Sequence, residues 1–408
     1  MSSRQTSSPV GGPLLTTTFK VLAVLAITAV LLVLWRFSVG LGPATAMTDV
    51  QPWGVWKLFN VIVLTSVASG GYAIALLVYV INKGRYHSLV RHALLTSAVG
   101  YSAAVLALGI DVGAPWNFWK VPLWTWAWNT DSVLLEVALC ISAYIMVLWA
   151  EISPVFLEQW ARRKGGRRAA LARRALPVID KALIWIIGLG ILLPTMHQSS
   201  LGSLYILAGT KVHPFWQTPL LPIFFLLSCW IMGYAAVIVT YIVSSTRWRR
   251  ETELGTLVAL GRVVGGVILA FALLRAGDLV WRHQLARLVS GDRYALLVAI
   301  ELVCLAGAAL VLLRPRPRTL GVLYRTGLSV LAGAGLYRMG VVWLGFRPLE
   351  GGIYFPSVPE LAIAVGFMAM QVMGYLIIVK RFPVLDARTR RRQPAGEGVR
   401  VRGGEPAA

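Results

Sequence analysis

Long apolar stretches alternate with short polar connections along almost the whole chain of 408 residues. Most of the stretches run for about 20 residues, the length that an α-helix needs to cross the hydrocarbon core of a membrane. Strands of an outer-membrane barrel would instead alternate apolar and polar residues over about ten positions. The pattern therefore predicts ten membrane-spanning helices, at 19–39, 57–81, 89–110, 130–150, 177–195, 219–243, 255–276, 294–313, 320–343 and 359–380.

The expected fold is all-α, a polytopic membrane protein of about ten transmembrane helices whose core forms two four-helix bundles. Residues 1–18 are expected to form a tail, 19–382 the helical domain, and 383–408 a basic tail whose composition is typical of disordered chain. The first apolar run favours an uncleaved helix over a cleaved signal peptide, because it continues through Trp35 and Phe37 before any small residues.

The charged residues indicate how the chain is oriented in the membrane. The net charge is +22, yet Lys and Arg lie mostly in alternate connections: residues 151–176 contain seven and residues 40–56 contain none. By the positive-inside rule both termini are cytoplasmic and the protein lies in the cytoplasmic (inner) membrane. No basic stretch is interleaved with exposed aromatic residues, so nucleic acid is not an expected partner, whereas membrane lipid is.

Tryptophan residues are dense in one of the connections that this topology places on the outer face, between Trp116 and Trp128. An aromatic belt at the membrane interface is one explanation. The density exceeds what a belt needs, so a docking surface or the mouth of a site for a flat ligand is an equally good one.

The stretch 192–209, LLPTMHQSSLGSLYILAG, places four consecutive hydrogen-bonding side chains after a proline. Proline disfavours the interior of a helix, so Pro194 is expected to end the fifth helix and to leave the polar residues beyond it and in the following loop. Such residues cap helix ends, but four in a row favour a site for a small polar head group at the outer interface. The four are His197, Gln198, Ser199 and Ser200.

The fourth helix carries the most informative carboxyl group. Asp131 lies at its outer end, and Glu136, Tyr144 and Glu151 follow at spacings that place them on one helical face. A carboxyl group inside a membrane span is costly and normally faces a cavity or a proton path. Glu136 is therefore the strongest candidate for function, whereas Glu151 is also explained by snorkelling to the cytoplasmic interface.

Other charges within the helices have simpler or no explanations. Arg275 and Asp278 are three residues apart and are expected to pair. Asp111 closes the third helix at the outer face. Glu301 and Arg338 lie inside predicted helices without a partner that the sequence identifies.

Cysteine and histidine argue against a bound metal. The three cysteines are isolated in apolar runs, which excludes an iron–sulfur cluster in this chain. All five histidines are expected at helix ends or in loops, whereas a b-type haem needs ligands held inside a bundle, so no haem is expected. The histidines are His87, His92, His197, His213 and His283.

Three motifs carry a family resemblance. They are PTMHQSSLGSLYILAGTKVHPFWQTPLLP at 194–222, WNTDSVLLE at 128–136 and YFPSVPE at 354–360. In these the chain resembles the membrane subunits of the NrfD/polysulfide reductase family, especially its hydrogenase-2 cytochrome b type branch. The resemblance implies a subunit without a cofactor of its own, which passes electrons from an outer-face ferredoxin-like iron–sulfur subunit to menaquinone. The electrons would come from the large and small subunits of a [NiFe] hydrogenase.

Under this resemblance the candidate residues take two roles. The quinone-binding set is His197, Gln198, Ser199, Ser200 and Asp111, with Trp116 and Trp128 as walls. The proton path is Glu136, Asp131, Tyr144 and Glu151. Three alternatives remain open: an equivalent anchor of a sulfur/polysulfide or multihaem cytochrome complex, a secondary transporter, and a structural anchor without quinone.

Overall fold

A computed structural model describes residues 7–48, 53–163, 165–289, 291–315, 319–347 and 354–385. Within these residues, ten helices are long and apolar enough to cross a membrane, which confirms the all-α class and the predicted number. In chain order they are α1 (Thr17–Val39), α2 (Val55–Val80), α3 (Gly84–Asp111), α4 (Val133–Ala161), α5 (Arg167–Leu207), α6 (Leu221–Arg247), α7 (Leu254–Trp281), α8 (Arg293–Leu313), α9 (Leu320–Leu344) and α10 (Val358–Arg381). The basic tail expected at 383–408 lies almost entirely outside the described residues, which end at 385.

The two ends of the helical bundle are named here by their composition. Connection 112–132 between α3 and α4 is rich in tryptophan and marks the tryptophan end. Connection 162–166 lies at the other end of α4 and marks the arginine end. Because the connections are short, successive helices run in opposite directions between these ends.

Helix packing defines two groups of neighbours. Helices α2, α3, α4 and α5 contact one another in sequence, and so do α6, α7, α8 and α9. Helix α6 packs against α2 and α5 as well, so it joins both groups, while α1 packs mainly against α10. The division of the core into two separate four-helix bundles stays a prediction.

Helix α5 is much longer than expected. It runs without interruption for 41 residues, with Pro177 and Pro194 inside it, so the prediction that Pro194 ends the helix was wrong. Polar side chains bond to carbonyl groups of the preceding turn: Thr195 Oγ1 donates to Ile191 O at 2.7 Å, and His197 Nδ1 to Leu193 O at 3.1 Å. Since these bonds and the neighbouring helices satisfy the polar groups, the proline is tolerated inside the span.

Two of the helices that supply buried polar groups, α2 and α9, are locally irregular. Helix α2 contains π-helical segments at Leu58–Val63 and Leu76–Val80, and α9 ends in one at Gly340–Leu344. Between the two segments of α2, Gly71 N donates to Ser97 Oγ of α3 at 2.8 Å. Such segments often lie beside functional sites, because the widened turn re-aims neighbouring side chains.

The YFPSVPE motif caps α10. Ser357 and Glu360 form a capping box, in which each side chain bonds to the backbone of the other residue. The buried Glu360 also accepts from the Tyr354 hydroxyl at 2.5 Å and from Ala46 N at 2.9 Å. The motif therefore ties the start of α10 to the connection between α1 and α2.

Candidate functional site

A buried polar cluster lies inside the helical bundle at the level of His197 and Gln198. Both side chains are fully buried. His197 contacts α3, and Gln198 contacts α2 and α9. His197 and Tyr101 each lie ten residues from the tryptophan end of their helices, at Leu207 and Asp111. At 1.5 Å per residue this is a depth of about 15 Å, well below the membrane interface where the sequence predicted the site.

Both ring nitrogens of His197 are hydrogen-bonded. Nδ1 lies 3.1 Å from Leu193 O, and Nε2 lies 3.1 Å from the Tyr101 hydroxyl and 3.0 Å from Gln198 Nε2. The Tyr101 hydroxyl also lies 3.1 Å from Ser69 Oγ on α2. The imidazole is thus hydrogen-bonded to an amide and, through the Tyr101 hydroxyl, to Ser69 of α2.

Arg338 of α9 supplies a buried positive charge to the cluster. It donates to Gln198 Oε1 at 2.8 Å, to Ser228 Oγ at 3.0 Å and to Ile62 O at 2.8 Å, and a fourth bond goes to a carbonyl of α6. Because every one of these acceptors is neutral, the charge is held by hydrogen bonds from α2, α5 and α6.

The aromatic part of the cluster contains an unused polar group. Tyr144 of α4 packs edge-on against Tyr101 at 4.7 Å between ring centroids, and its ring lies 6.2 Å from that of His197. Its hydroxyl is buried and has no hydrogen-bond partner within the described part of the chain. A buried hydroxyl without a partner is costly, so this position favours a water molecule or a polar ligand.

Glu136 connects α4 to α5 nearer the tryptophan end. The Ser200 hydroxyl donates to Glu136 Oε1 at 2.8 Å and also lies 2.9 Å from Met196 O. Glu136 is the fourth residue of α4, at a depth of about 5 Å. Glu151 lies on the other side of Tyr144, buried and close to Gly190 of α5. The α4 residues predicted to share one face therefore lie along the contact with α5.

Several predicted site residues lie apart from this cluster. Asp111 pairs with Lys57 at 2.6 Å and accepts from the Trp56 indole at 3.1 Å, which gives it a local structural role. Asp131 is exposed ahead of α4, and the Ser199 hydroxyl donates to Met196 O of its own helix at 2.9 Å. Trp116 is 73% exposed at the tryptophan end, too superficial to form a wall of the buried cluster.

A cavity of about 430 Å³ opens beside the first turn of α4. Its lining residues come from the tryptophan-rich connection and from α4: Lys120, Val121, Trp124, Ala127, Trp128, Asn129, Ser132 and Leu135. Trp128 is thus part of a concave site, although not of the buried cluster. Glu136 follows the lining residue Leu135 in α4, and its carboxyl group bonds to Ser200 of α5 rather than lining the cavity.

The comparison with protein families agrees with the three sequence motifs. The family described as "Polysulphide reductase, NrfD" matches residues 43–357, which is more than half of the chain. The chain belongs to the NrfD family.

Three relatives of the chain are subunits of redox enzymes. The chain is 36% identical over 92% of its length, and 94% of the relative, to the "Probable Ni/Fe-hydrogenase 2 b-type cytochrome subunit" of Escherichia coli K12. It is 31% identical over 41% of its length, and 38% of the relative, to the "Menaquinone reductase, integral membrane subunit" of Nitratidesulfovibrio vulgaris Hildenborough. A selenate reductase subunit of Mesobacillus selenatarsenatis is 24% identical over 93% of the chain and 96% of its own length.

The name of the E. coli relative includes a b-type cytochrome, and a b-type haem would be held by histidines. The expectation that all five lie at helix ends or in loops was wrong, because His92 and His197 are buried inside α3 and α5. His92 bonds through Nε2 to Thr240 and through Nδ1 to Tyr375, at 2.9 and 3.0 Å. Both nitrogens of each ring are already hydrogen-bonded, so neither ring presents a free ligand to iron. The absence of haem stays a prediction.

Sequence reasoning identified the buried charges but missed the partners of Arg338 and Glu301. Arg338 was visible as a charge within a span, but its partner Gln198 is 140 residues away in the chain. The expected pair Arg275–Asp278 is confirmed at 3.9 Å, and Arg275 also lies 3.8 Å from Glu301, for which the sequence identified no partner. A charged residue inside an apolar run signals such a partner, but only helix packing identifies it.

Proposed function

We propose that this chain is the quinone-reactive membrane subunit of a respiratory oxidoreductase, passing electrons between an outer-face iron–sulfur subunit of a [NiFe] hydrogenase complex and menaquinone. Two relatives that match over most of the chain are a hydrogenase subunit and a selenate reductase subunit, and the menaquinone reductase relative covers part of the chain. Quinone is a substrate in this proposal and not a resident cofactor. The cytoplasmic membrane is its expected location, with the partner subunits on the tryptophan end.

The observation that carries the proposal is the Glu136–Ser200 hydrogen bond. It joins α4, one residue past the cavity-lining Leu135, to α5, two residues past Gln198 of the buried cluster. Reduction of a quinone needs hydrogen-bond donors at its carbonyl oxygens and a source of two protons. A cavity of about 430 Å³ lies in the size range of small-molecule sites and is lined by Trp124 and Trp128, whose rings suit a flat head group. We propose that a head group in this cavity reaches the carboxyl group of Glu136, which follows the lining residue Leu135 in α4.

Protons would reach this point along α4. Glu151, Tyr144 and Glu136 follow one another from the arginine end towards the cavity, and His197 and Tyr101 flank the middle of this line. We propose that Glu136 is the terminal proton donor to the quinone and that Tyr144, whose hydroxyl is without a partner in the described chain, holds one member of a chain of water molecules that links Glu151 to Glu136. Protons drawn from the cytoplasm would make the reaction electrogenic.

The proposal predicts that Glu136→Gln slows quinone reduction and leaves hydrogen oxidation intact. Loss of a positioned acid typically costs on the order of a hundredfold in rate. The measurement is hydrogen-dependent reduction of a menaquinone analogue by membranes that contain the native complex. Reduction of an artificial dye by the same membranes reports on the hydrogenase itself and is expected to be unchanged.

Asp180→Asn is the matched control, because Asp180 is an exposed carboxylate on α5 far from the cavity. It is expected to leave both activities unchanged. An unchanged quinone rate in the Glu136→Gln membranes would show that Glu136 is not the proton donor. If native membranes reduce the analogue with another donor but not with hydrogen, the hydrogenase partner is wrong and the quinone site stands.

A further inference from the structure

The hydrogen bonds around Gln198 fix the orientation of its side-chain amide. An arginine guanidinium only donates hydrogen bonds, so the atom of Gln198 that lies 2.8 Å from Arg338 must be the amide oxygen. The amide nitrogen therefore lies on the opposite side, 3.0 Å from His197 Nε2. Orientation of an amide is assigned from its partners, and here one partner leaves no choice.

A second neighbour requires the same orientation. The Thr65 hydroxyl donates its only proton to Val61 O of its own helix, so it has only lone pairs to offer to other groups. It lies 3.3 Å from the Gln198 amide nitrogen, which must therefore donate to it. Arg338 and Thr65, from different helices, hold the two ends of the amide in one orientation.

The orientation of Gln198 determines where His197 carries its proton. Nδ1 lies against Leu193 O, a carbonyl that only accepts, so Nδ1 must carry a hydrogen. Nε2 faces the donating amide nitrogen of Gln198, so Nε2 must present its lone pair. These contacts describe a neutral imidazole with its hydrogen on Nδ1.

We propose that Arg338 is a positioning residue that, acting through Gln198, fixes the neutral Nδ1–H tautomer of His197. The lone pair of Nε2 then accepts from the Gln198 amide nitrogen at 3.0 Å, and the Tyr101 hydroxyl lies 3.1 Å from the same nitrogen. The inference rests on the proposed function only for its use in proton transfer. The tautomer itself exists whether or not a quinone binds.

The test is nitrogen-15 solid-state NMR of the histidine-labelled complex in lipid, with His197 assigned as the signals lost in His197→Gln. The native complex is expected to show one protonated nitrogen at Nδ1 and one unprotonated nitrogen at Nε2. Arg338→Met removes the charged donor to Gln198 Oε1 and leaves only longer contacts with α2, including that with Thr65, to hold the amide. A fraction of the amides is therefore expected to reverse, and a second His197 form, protonated on Nε2, to appear. Arg325→Met, an exposed arginine on the same helix, is the control and should give the native spectrum.

Gln198→Glu keeps the test decisive if the Arg338→Met complex does not assemble. A carboxylate held by Arg338 has only acceptors left for His197, so a proton is expected on Nε2. The proposal is overturned if His197 of the native complex carries its proton on Nε2. It is also overturned if the variant that is measured keeps the native pattern. None of these results depends on quinone activity, so failure of the proposed function would be seen separately, in the hydrogen-dependent assay.

Discussion

At the scale of single residues, most polar groups of the buried cluster persist in this apolar bundle because they have specific partners, although the Tyr144 hydroxyl has none in the described chain. Ser66 and Ser69 of α2 bond to carbonyl groups of their own helix at 3.0 and 2.8 Å, and the same hydroxyls then face Gln198 and Tyr101. A buried polar group without a partner would cost several kcal/mol in a membrane, about as much as a small domain can spare. The cluster is therefore stable only when all the helices that supply it are in place.

The connection between α5 and α6 contains a histidine whose titration affects stability. Burial lowers the pKa of His213 to about 4, with a further contribution from the nearby Arg347. The ring stacks on Tyr294 at 4.2 Å between centroids, and Nδ1 accepts from Phe215 N at 3.2 Å, so the neutral form is the one that fits. An unfolded histidine titrates near 6.5 and binds more protons than the folded one between these two pH values.

Stability is therefore expected to fall as the pH drops from 7 through 6.5 towards 4. The thermal unfolding midpoint of the solubilised protein at pH 7 and pH 5 measures the effect. His213→Gln keeps an acceptor for Phe215 N but does not titrate, so its midpoint is expected to change less with pH. Equal pH dependence in the two proteins would assign the acid sensitivity to other groups.

At the scale of helices, close backbone contact holds the site helix α5 against α6. Gly202 lies where a Cβ atom would come within 2.5 Å of Leu221 O, at the first turn of α6. Small residues allow helices in a membrane to approach closely, and such contacts provide much of their association energy. Ser200, which bonds to Glu136, lies two residues before Gly202 in α5. The close contact at Gly202 therefore also helps to hold Ser200 in position.

Gly202→Ala is expected to destabilise the protein by about 1–3 kcal/mol, because the added methyl group meets backbone that must move. The measurement is the loss of folded protein on heating or in denaturing detergent. Gly188→Ala is the matched control on the same helix, where nothing lies within 4 Å of the added atom. This change should be neutral or stabilising by about 1 kcal/mol, since alanine favours a helix more than glycine. Similar losses for both variants would argue against the close α5–α6 contact.

At the scale of the whole molecule, the arrangement predicts an orientation in the membrane. The arginine end carries the basic connection between α4 and α5, and basic residues remain on the cytoplasmic side. Partner subunits that deliver electrons would then dock on the opposite face, where the tryptophan-rich connection lies beside the cavity. The proposed quinone site is therefore on the same side as the proposed electron donor.

Reporter fusions test this orientation directly. A fluorescent protein fused to the C-terminus of the full chain is expected to fluoresce, because it folds in the cytoplasm. Alkaline phosphatase inserted at residue 126 is expected to be active and at residue 165 inactive. An active enzyme at residue 165 would reverse the assignment of the two ends.

The sequence by itself determined the number of spanning helices and singled out Glu136 as a carboxyl group inside a span, since both follow from the cost of placing polar groups in hydrocarbon. It also singled out His197 and Gln198, although Pro194 led to the wrong expectation that they lie in a loop. Only the tertiary structure decided that these residues are helical and buried, because neighbouring side chains compensate for a proline in ways that no local pattern reveals. Only the tertiary structure showed that Gln198 contacts Arg338 and that Glu136 contacts Ser200. The partner of a buried polar group depends on which helices pack together and not on distance along the chain.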